Sequence, residues 1–299
     1  MRNLFASLCA TFCVVANAVA ADSALPSSES TTLHLVVMDP LAKELSCPCV
    51  QGYAQRDYTK LAQYLESKLG LPVRVSFSES LLKAMKGDAE GRVDVVIGKR
   101  SVVEYDAKRA KLDVSYVGSL TGKDGATTQY GMIVVRTADR ATTVADLAGY
   151  KIYFGPEESS EKHAAAIALL KANGVELPAQ LETVAGCEEG AAAILEMSSD
   201  EKGAAVISSY ARPLLEGCGT VPKGAIRVVA ETKPVPFVTA FVADHMPPER
   251  RRQIKAALLA LDEQPELKFA LETKRGFVAE DAESEVSPAT TDAHGAKKK

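Results

Sequence analysis

Apolar positions in this chain alternate between two rhythms. Short apolar runs occupy 33–38, 73–77 and 93–97, while Tyr58, Leu61, Leu65 and Leu69 between them fall at helical spacing. Short runs bounded by turn residues predict strands, and i, i+3, i+4 spacing predicts an amphipathic helix. Gly70 and Pro72 end that first helix. The same reading gives helices over 80–86, 101–110, 160–173 and 187–197, and a long one from Pro247 through Leu261. Further strands are predicted at 116–117, 131–135, 151–155, 204–207, 226–230 and 237–242, and no internal repeat is evident. Strands alternating with helices predict an α/β protein built on mainly parallel sheets with helices on both faces.

Ligands of such sheets bind beyond the C-terminal ends of the strands. That rule selects the loops 39–53, 98–101, 155–163, 186–189 and 208–210. They carry the candidate ligand contacts Asp39, Cys49, Tyr53, Lys99, Arg100, Ser101, Ser159, Ser160, His163, Cys187, Glu188, Ser208 and Tyr210.

The N-terminus adds a compartment. Arg2 is followed by an uncharged stretch from Leu4 to Val19 and by Ala18-Val19-Ala20, the order of a cleavable secretory signal with cleavage near Ala20-Ala21. The apolar run is too short for a spanning anchor. Residues 21–30 read as a polar leader and 280–299 as a disordered tail ending in three lysines. The 299 residues carry 35 Lys and Arg against 39 Asp and Glu, a formal charge of −4 with no evident basic face, which argues against nucleic acid as a partner.

Cys9 and Cys13 leave with the signal, so Cys47, Cys49, Cys187 and Cys218 remain. In an oxidising compartment four cysteines favour disulfides, with three pairings open. Cys187 with Cys218 is one candidate; Cys47-Pro48-Cys49 is another centre, as a strained redox pair or, reduced, a soft-metal site. A cysteine hydrolase would need a base, and among the histidines His163 alone is predicted near the binding loops. The sequence has no zinc spacing, phosphate-binding loop or dinucleotide fingerprint, and no cofactor or metal is predicted.

Four segments in order then carry a family resemblance: 61–70 with the Val73 strand, 93–99, the run Asp146-Leu147-Ala148-Gly149-Tyr150-Lys151-Ile152-Tyr153-Phe154-Gly155, and Lys233-Pro234-Val235-Pro236. Over residues 33–278 the chain resembles the phosphate/phosphonate-type periplasmic solute-binding proteins of ABC importers, which have the type 2 periplasmic binding protein fold. The resemblance implies two lobes, residues 31–134 with 238–279 and residues 135–237, crossing near 133–137 and 236–239. It implies a monomeric, non-enzymatic periplasmic receptor that closes on a small polar, oxyanionic solute and is read by an ABC permease or a partner protein. A redox or metal-handling protein using Cys47 and Cys49 is the alternative. In that family a hydroxyl-rich loop matching Ser159 and Ser160 holds the anion at a helix N-terminus. Here Glu157, Glu158 and Glu161 flank it, either opposing an anion or complementing the helix dipole. Tyr130 matches a hinge aromatic, with core packing as its other reading.

Overall fold

The computed structural model describes residues 32–46, 55–87, 89 and 91–279. The expected signal peptide, polar leader and tail, with Cys47, Cys49 and Tyr53, lie outside the described residues.

The chain begins with β1 (Leu33–Met38), α1 (Tyr58–Leu69), β2 (Val73–Phe77), α2 (Leu81–Lys86), β3 (Val95–Lys99), α3 (Arg100–Ala110) and β4 (Val114–Leu120). After the short β5 (Thr128–Gln129) come β6 (Gly131–Arg136), β7 (Lys151–Phe154), α4 (Ala164–Ala172), β8 (Glu182–Thr183), α5 (Cys187–Glu196), β9 (Gly203–Ser208), α6 (Ala211–Gly217) and β10 (Ile226–Glu231). The short β11 (Val235–Pro236) leads back to β12 (Val238–Ala243), α7 (Pro248–Leu259), α8 (Pro265–Ala270) and β13 (Phe277–Val278).

These elements form two lobes. The first holds a six-stranded sheet in the order β13-β4-β12-β3-β1-β2, the second a five-stranded sheet in the order β10-β6-β9-β7-β8. Both sheets are mixed rather than mainly parallel. Among the described residues, parallel pairing is confined to β2-β1-β3 and β8-β7-β9; β6 and β12, which enter from the other lobe, run antiparallel to their neighbours. Between the lobes β5 and β11 pair antiparallel, Gln129 opposite Val235. The first crossing therefore falls upstream of the expected 133–137, because Gly131 to Arg136 is taken up by pairing with β9 and β10.

Period-two burial explains the helices on both faces. Along β1, Leu33, Leu35 and Val37 enter one core cluster and Val36 and Met38 the opposite one. Along β6, Ile133 and Val135 face one way, Met132 and Val134 the other. Strands buried on both faces read as continuous apolar runs. Helix α1 is set locally: the Asp57 carboxylate accepts from Thr59 N at 3.0 Å, and Gly70 closes the C-terminus at φ 66° with its N–H on Glu66 O. Tyr58, Leu61 and Leu65, all fully buried, form its inner face.

Helix α4 begins at Ala164, four residues later than its apolar pattern predicts. The preceding residues form a tight turn, in which Ser159 N donates to Pro156 O and both Lys162 N and His163 N donate to Ser159 O. This geometry buries Glu161 and Lys162, which a regular helix from Ser160 would present differently. The turn packs directly on the start of β6, where a Cβ on Gly131 would lie 2.1 Å from the Glu161 carbonyl oxygen.

Gly131→Ala is expected to destabilise the protein by about 1–3 kcal/mol, since neither backbone can yield without disturbing its sheet or turn. Urea unfolding monitored by circular dichroism measures the loss.

Candidate functional site

The C-terminal strand ends of the two lobes meet. Asp39 follows β1 and Lys99 ends β3 in the first lobe; Ser208 ends β9, the 156–163 turn follows β7, and Cys187 opens α5 beyond β8 in the second. Lys99 is positioned by register, opposite Val238 on β12, and Arg100 N is tied to Phe237 O at 2.8 Å. Close packing of Gly98 on Met38, where an added Cβ would meet the Met38 Cβ at 2.7 Å, holds the ends of β1 and β3 together.

At the centre is Glu161, with no solvent exposure. Its Oε1 accepts from the Lys99 ammonium of the first lobe and, at 2.8 Å, from the Ser208 hydroxyl of the second. Its Oε2 is buried and has no partner among the described residues. Burial would push this carboxyl up, but the Lys99 charge, the hydrogen bonds from Lys99 and Ser208, and the nearby Lys162 charge hold it below the ordinary glutamate range. Ser101 adds a second bridge between the lobes: its hydroxyl donates to Glu158 O at 2.7 Å and accepts from Ser160 N at 3.3 Å.

One wall is a buried triad of the first lobe. Asp39 accepts from Arg56 at 2.8 Å and Tyr58 at 2.6 Å on one oxygen, and from Leu41 N at 2.9 Å on the other. Burial opposes the Arg56 charge, but Asp39 outweighs it and the net shift is upward. Burial, reinforced by Asp39, also keeps the Tyr58 phenol protonated far above its usual range. Arg56 lies over Phe237, 5.5 Å from the ring centroid, and Phe237 stacks on Tyr210 at 5.3 Å. Burial first, then the neighbouring Cys187 and Glu161, raise the Tyr210 phenol well above its ordinary value. Its hydroxyl therefore remains a proton-bearing donor.

Of the candidates named from sequence, Asp39, Lys99, Ser101, Ser160, Cys187, Ser208 and Tyr210 converge here. Ser159 is buried inside the turn. Arg100 turns to Glu104 and the face of Tyr116. Tyr130 packs against the second-lobe core. His163 is fixed by Nδ1 on Gly155 O at 2.8 Å, edge-on to Phe154. Glu188 is exposed and folds over Gly186. The acidic residues do not cap α4, whose first turn carries none. Arg56, Phe237 and the central place of Glu161 were not expected at the site, and Tyr58 was expected only as an apolar position of the first helix.

Cys187 and Cys218 are free thiols, which removes the disulfide considered between them. Cys187 donates to the Ser208 hydroxyl at 3.7 Å and accepts from Ser208 N, while Cys218 contacts Thr220 and Leu215 O. No cluster of three or more metal-ligating side chains occurs among the described residues. No described helix is long and apolar enough to cross a membrane.

Two tests probe this arrangement. Asp39→Asn leaves Arg56 buried without its counter-charge and is expected to cost about 3–5 kcal/mol in urea unfolding. Because Glu161 has a depressed folded pKa, its contribution is complete above the unfolded carboxyl value (about 4.3) and disappears as pH falls through the lower folded value. Unfolding midpoints between pH 7 and pH 3 should fall more steeply in the wild type than in Glu161→Gln.

Among curated proteins, none matches the chain by sequence. Solved structures share the fold, three of them as follows. A Xanthomonas citri protein bound to ATP has a TM-score of 0.62 at 16% identity, covering 85% of this chain and 92% of its own. PhnD1 of Prochlorococcus marinus, in complex with methylphosphonate, gives 0.62 at 12% identity with coverages of 84% and 93%. The binding component of a phosphonate ABC transporter from Pseudomonas aeruginosa gives 0.60 at 12% identity with coverages of 83% and 81%. The sequence profile of the periplasmic substrate-binding proteins of phosphonate ABC transporters matches residues 51–284. With strand ends of both lobes meeting at one buried polar centre, the chain belongs to that family, whose members are periplasmic receptors that bind small molecules and deliver them to ABC permeases.

Proposed function

We infer that this receptor holds one small oxyanionic group, of the phosphonate or sulfonate kind, between its lobes at Lys99, Ser101, Ser208 and Tyr210, with Asp39, Arg56 and Tyr58 as the supporting wall. The observation that carries this reading is the convergence on a single oxygen of a cation from one lobe and a hydroxyl from the other. Such a donor pair matches one tetrahedral oxyanion oxygen and rewards closure of the cleft, because neither lobe supplies both partners. The buried Nε of Arg56 is a third donor, without an acceptor among the described residues.

The relatives' ligands differ, ATP in the Xanthomonas protein and methylphosphonate in the Prochlorococcus one. A seat at which both lobes reach one oxygen suits a compact headgroup better than a nucleotide. The lobes then divide near 31–130 with 238–279 and 131–237 rather than at 134/135, because residues 131–136 pair only within the second sheet. The protein acts as a monomer that captures its solute without transforming it, after export directed by residues 1–20. A redox or metal role through Cys47 and Cys49 is the weaker reading, since the family that the chain matches consists of solute receptors.

Calorimetric titration with methylphosphonate, an alkanesulfonate, phosphate and sulfate tests the assignment. At least one is expected to bind and to raise the melting temperature. Lys99→Met should weaken that ligand by about tenfold or more, the worth of a charge-assisted hydrogen bond. Absence of binding by all four would refute the reading.

A further inference from the structure

Resting on that oxyanion reading, we propose that Glu161 is a built-in competitor for the solute: its carboxylate occupies the place of the ligand anion on Lys99 and Ser208 and latches the empty receptor shut. Three observations converge. The carboxylate takes the two donors that the lobes direct at each other, Lys99 Nζ and Ser208 Oγ, both on Oε1. It is completely buried, with Lys99 at 6% exposure and Ser208 at none, so a solute anion cannot reach the same donors while Glu161 stays. Its second oxygen, Oε2, has no donor among the described residues. A residue placed only to stabilise the closed lobes would be expected to have both oxygens satisfied; this one fills its seat halfway.

The 156–163 turn shows why displacement is structurally available. Glu161 lies on a loop between β7 and α4, not within either element, and its backbone is held by packing on Gly131. Rotation of its side chain frees Oε1 without breaking a strand or helix. A carboxylate and a phosphonate oxygen accept the same charge-assisted bonds, so the exchange replaces one anion by another at Lys99. The energetic effect is a tax on affinity: the solute must first release a closed form that the protein stabilises by itself. The latch also favours solutes whose headgroup makes more than the two bonds Glu161 gives up, such as a three-oxygen group that also reaches Arg56 Nε.

The test uses the full chain, its Glu161→Gln variant and the double variant Glu161→Gln with Lys99→Met. Calorimetry with methylphosphonate and an alkanesulfonate should show affinity about tenfold higher in Glu161→Gln than in wild type, as expected when a competing closed form is removed. The gain should vanish in the double variant, which lacks the cation but leaves no orphaned charge and so guards against misfolding of the single one. Small-angle scattering without ligand should find wild type compact and Glu161→Gln expanded, contracting when methylphosphonate is added. Wild type that binds an oxyanion while Glu161→Gln binds it equally or more weakly would overturn the latch and leave the oxyanion reading standing. Failure of every form to bind any oxyanion would overturn both, and equal ligand-free dimensions of wild type and Glu161→Gln would overturn the latch by itself.

Discussion

A carboxylate removed from water must be compensated, and the closed arrangement of this protein follows from how Glu161 is compensated. Its partners come from both lobes: Lys99 from the end of β3 and Ser208 from the end of β9. Neither lobe alone neutralises it. The Lys99 ammonium is equally dependent, being 6% exposed and paired to that carboxylate. Separation of the lobes returns both charges to water, whereas closure brings them together in a medium where their attraction is stronger. The charge pair therefore ties the electrostatics of the site to the relative position of the two sheets.

Everything around the pair can be traced to its placement. Register against Val238 fixes Lys99, and Gly98 brings that strand end against Met38 and thus near Asp39. Gly131 removes the side chain that would keep the 156–163 turn off the start of β6. The turn delays α4 to Ala164. The same delay points Glu161 inward and lets Ser160 N meet Ser101 from the opposite lobe. A purely local helix preference would have started α4 earlier; burial of Glu161 against Lys99 and Ser208 outweighs a propensity worth a few tenths of a kcal/mol per residue (about 0–0.7).

The strand ends were legible in the sequence, but their partners were not. Apolar runs followed by polar residues marked Asp39, Lys99 and Ser208, because doubly buried strands must end where polarity begins. Pairing direction was illegible for the same reason: β6 and β12 are as apolar as the parallel strands beside them, so the pattern gives no sign that they run antiparallel. Glu161 was read as one of three acidic neighbours in a polar loop, since a lone glutamate is rarely buried. Only the position of Lys99, 62 residues away in sequence, makes its burial affordable. Arg56 precedes a helix cap and gave no periodic signal, and Phe237 follows a proline pair that marked the crossing, not its stacking on Tyr210.

The two buried ion pairs of the site show how similar chemistry serves different ends. Asp39 receives three donors, Leu41 N, Arg56 and Tyr58, all from its own lobe and all close in sequence, so both oxygens are satisfied whatever the other lobe does. Such a pair is scaffold: it fixes the first-lobe wall and orients Arg56 over Phe237. Among the described residues, Glu161 receives two donors from two lobes on one oxygen and none on the other. Its compensation is incomplete and conditional on closure. A receptor that must open needs its interlobe contacts to be replaceable and its intralobe contacts not to be, and the count of satisfied oxygens separates the two.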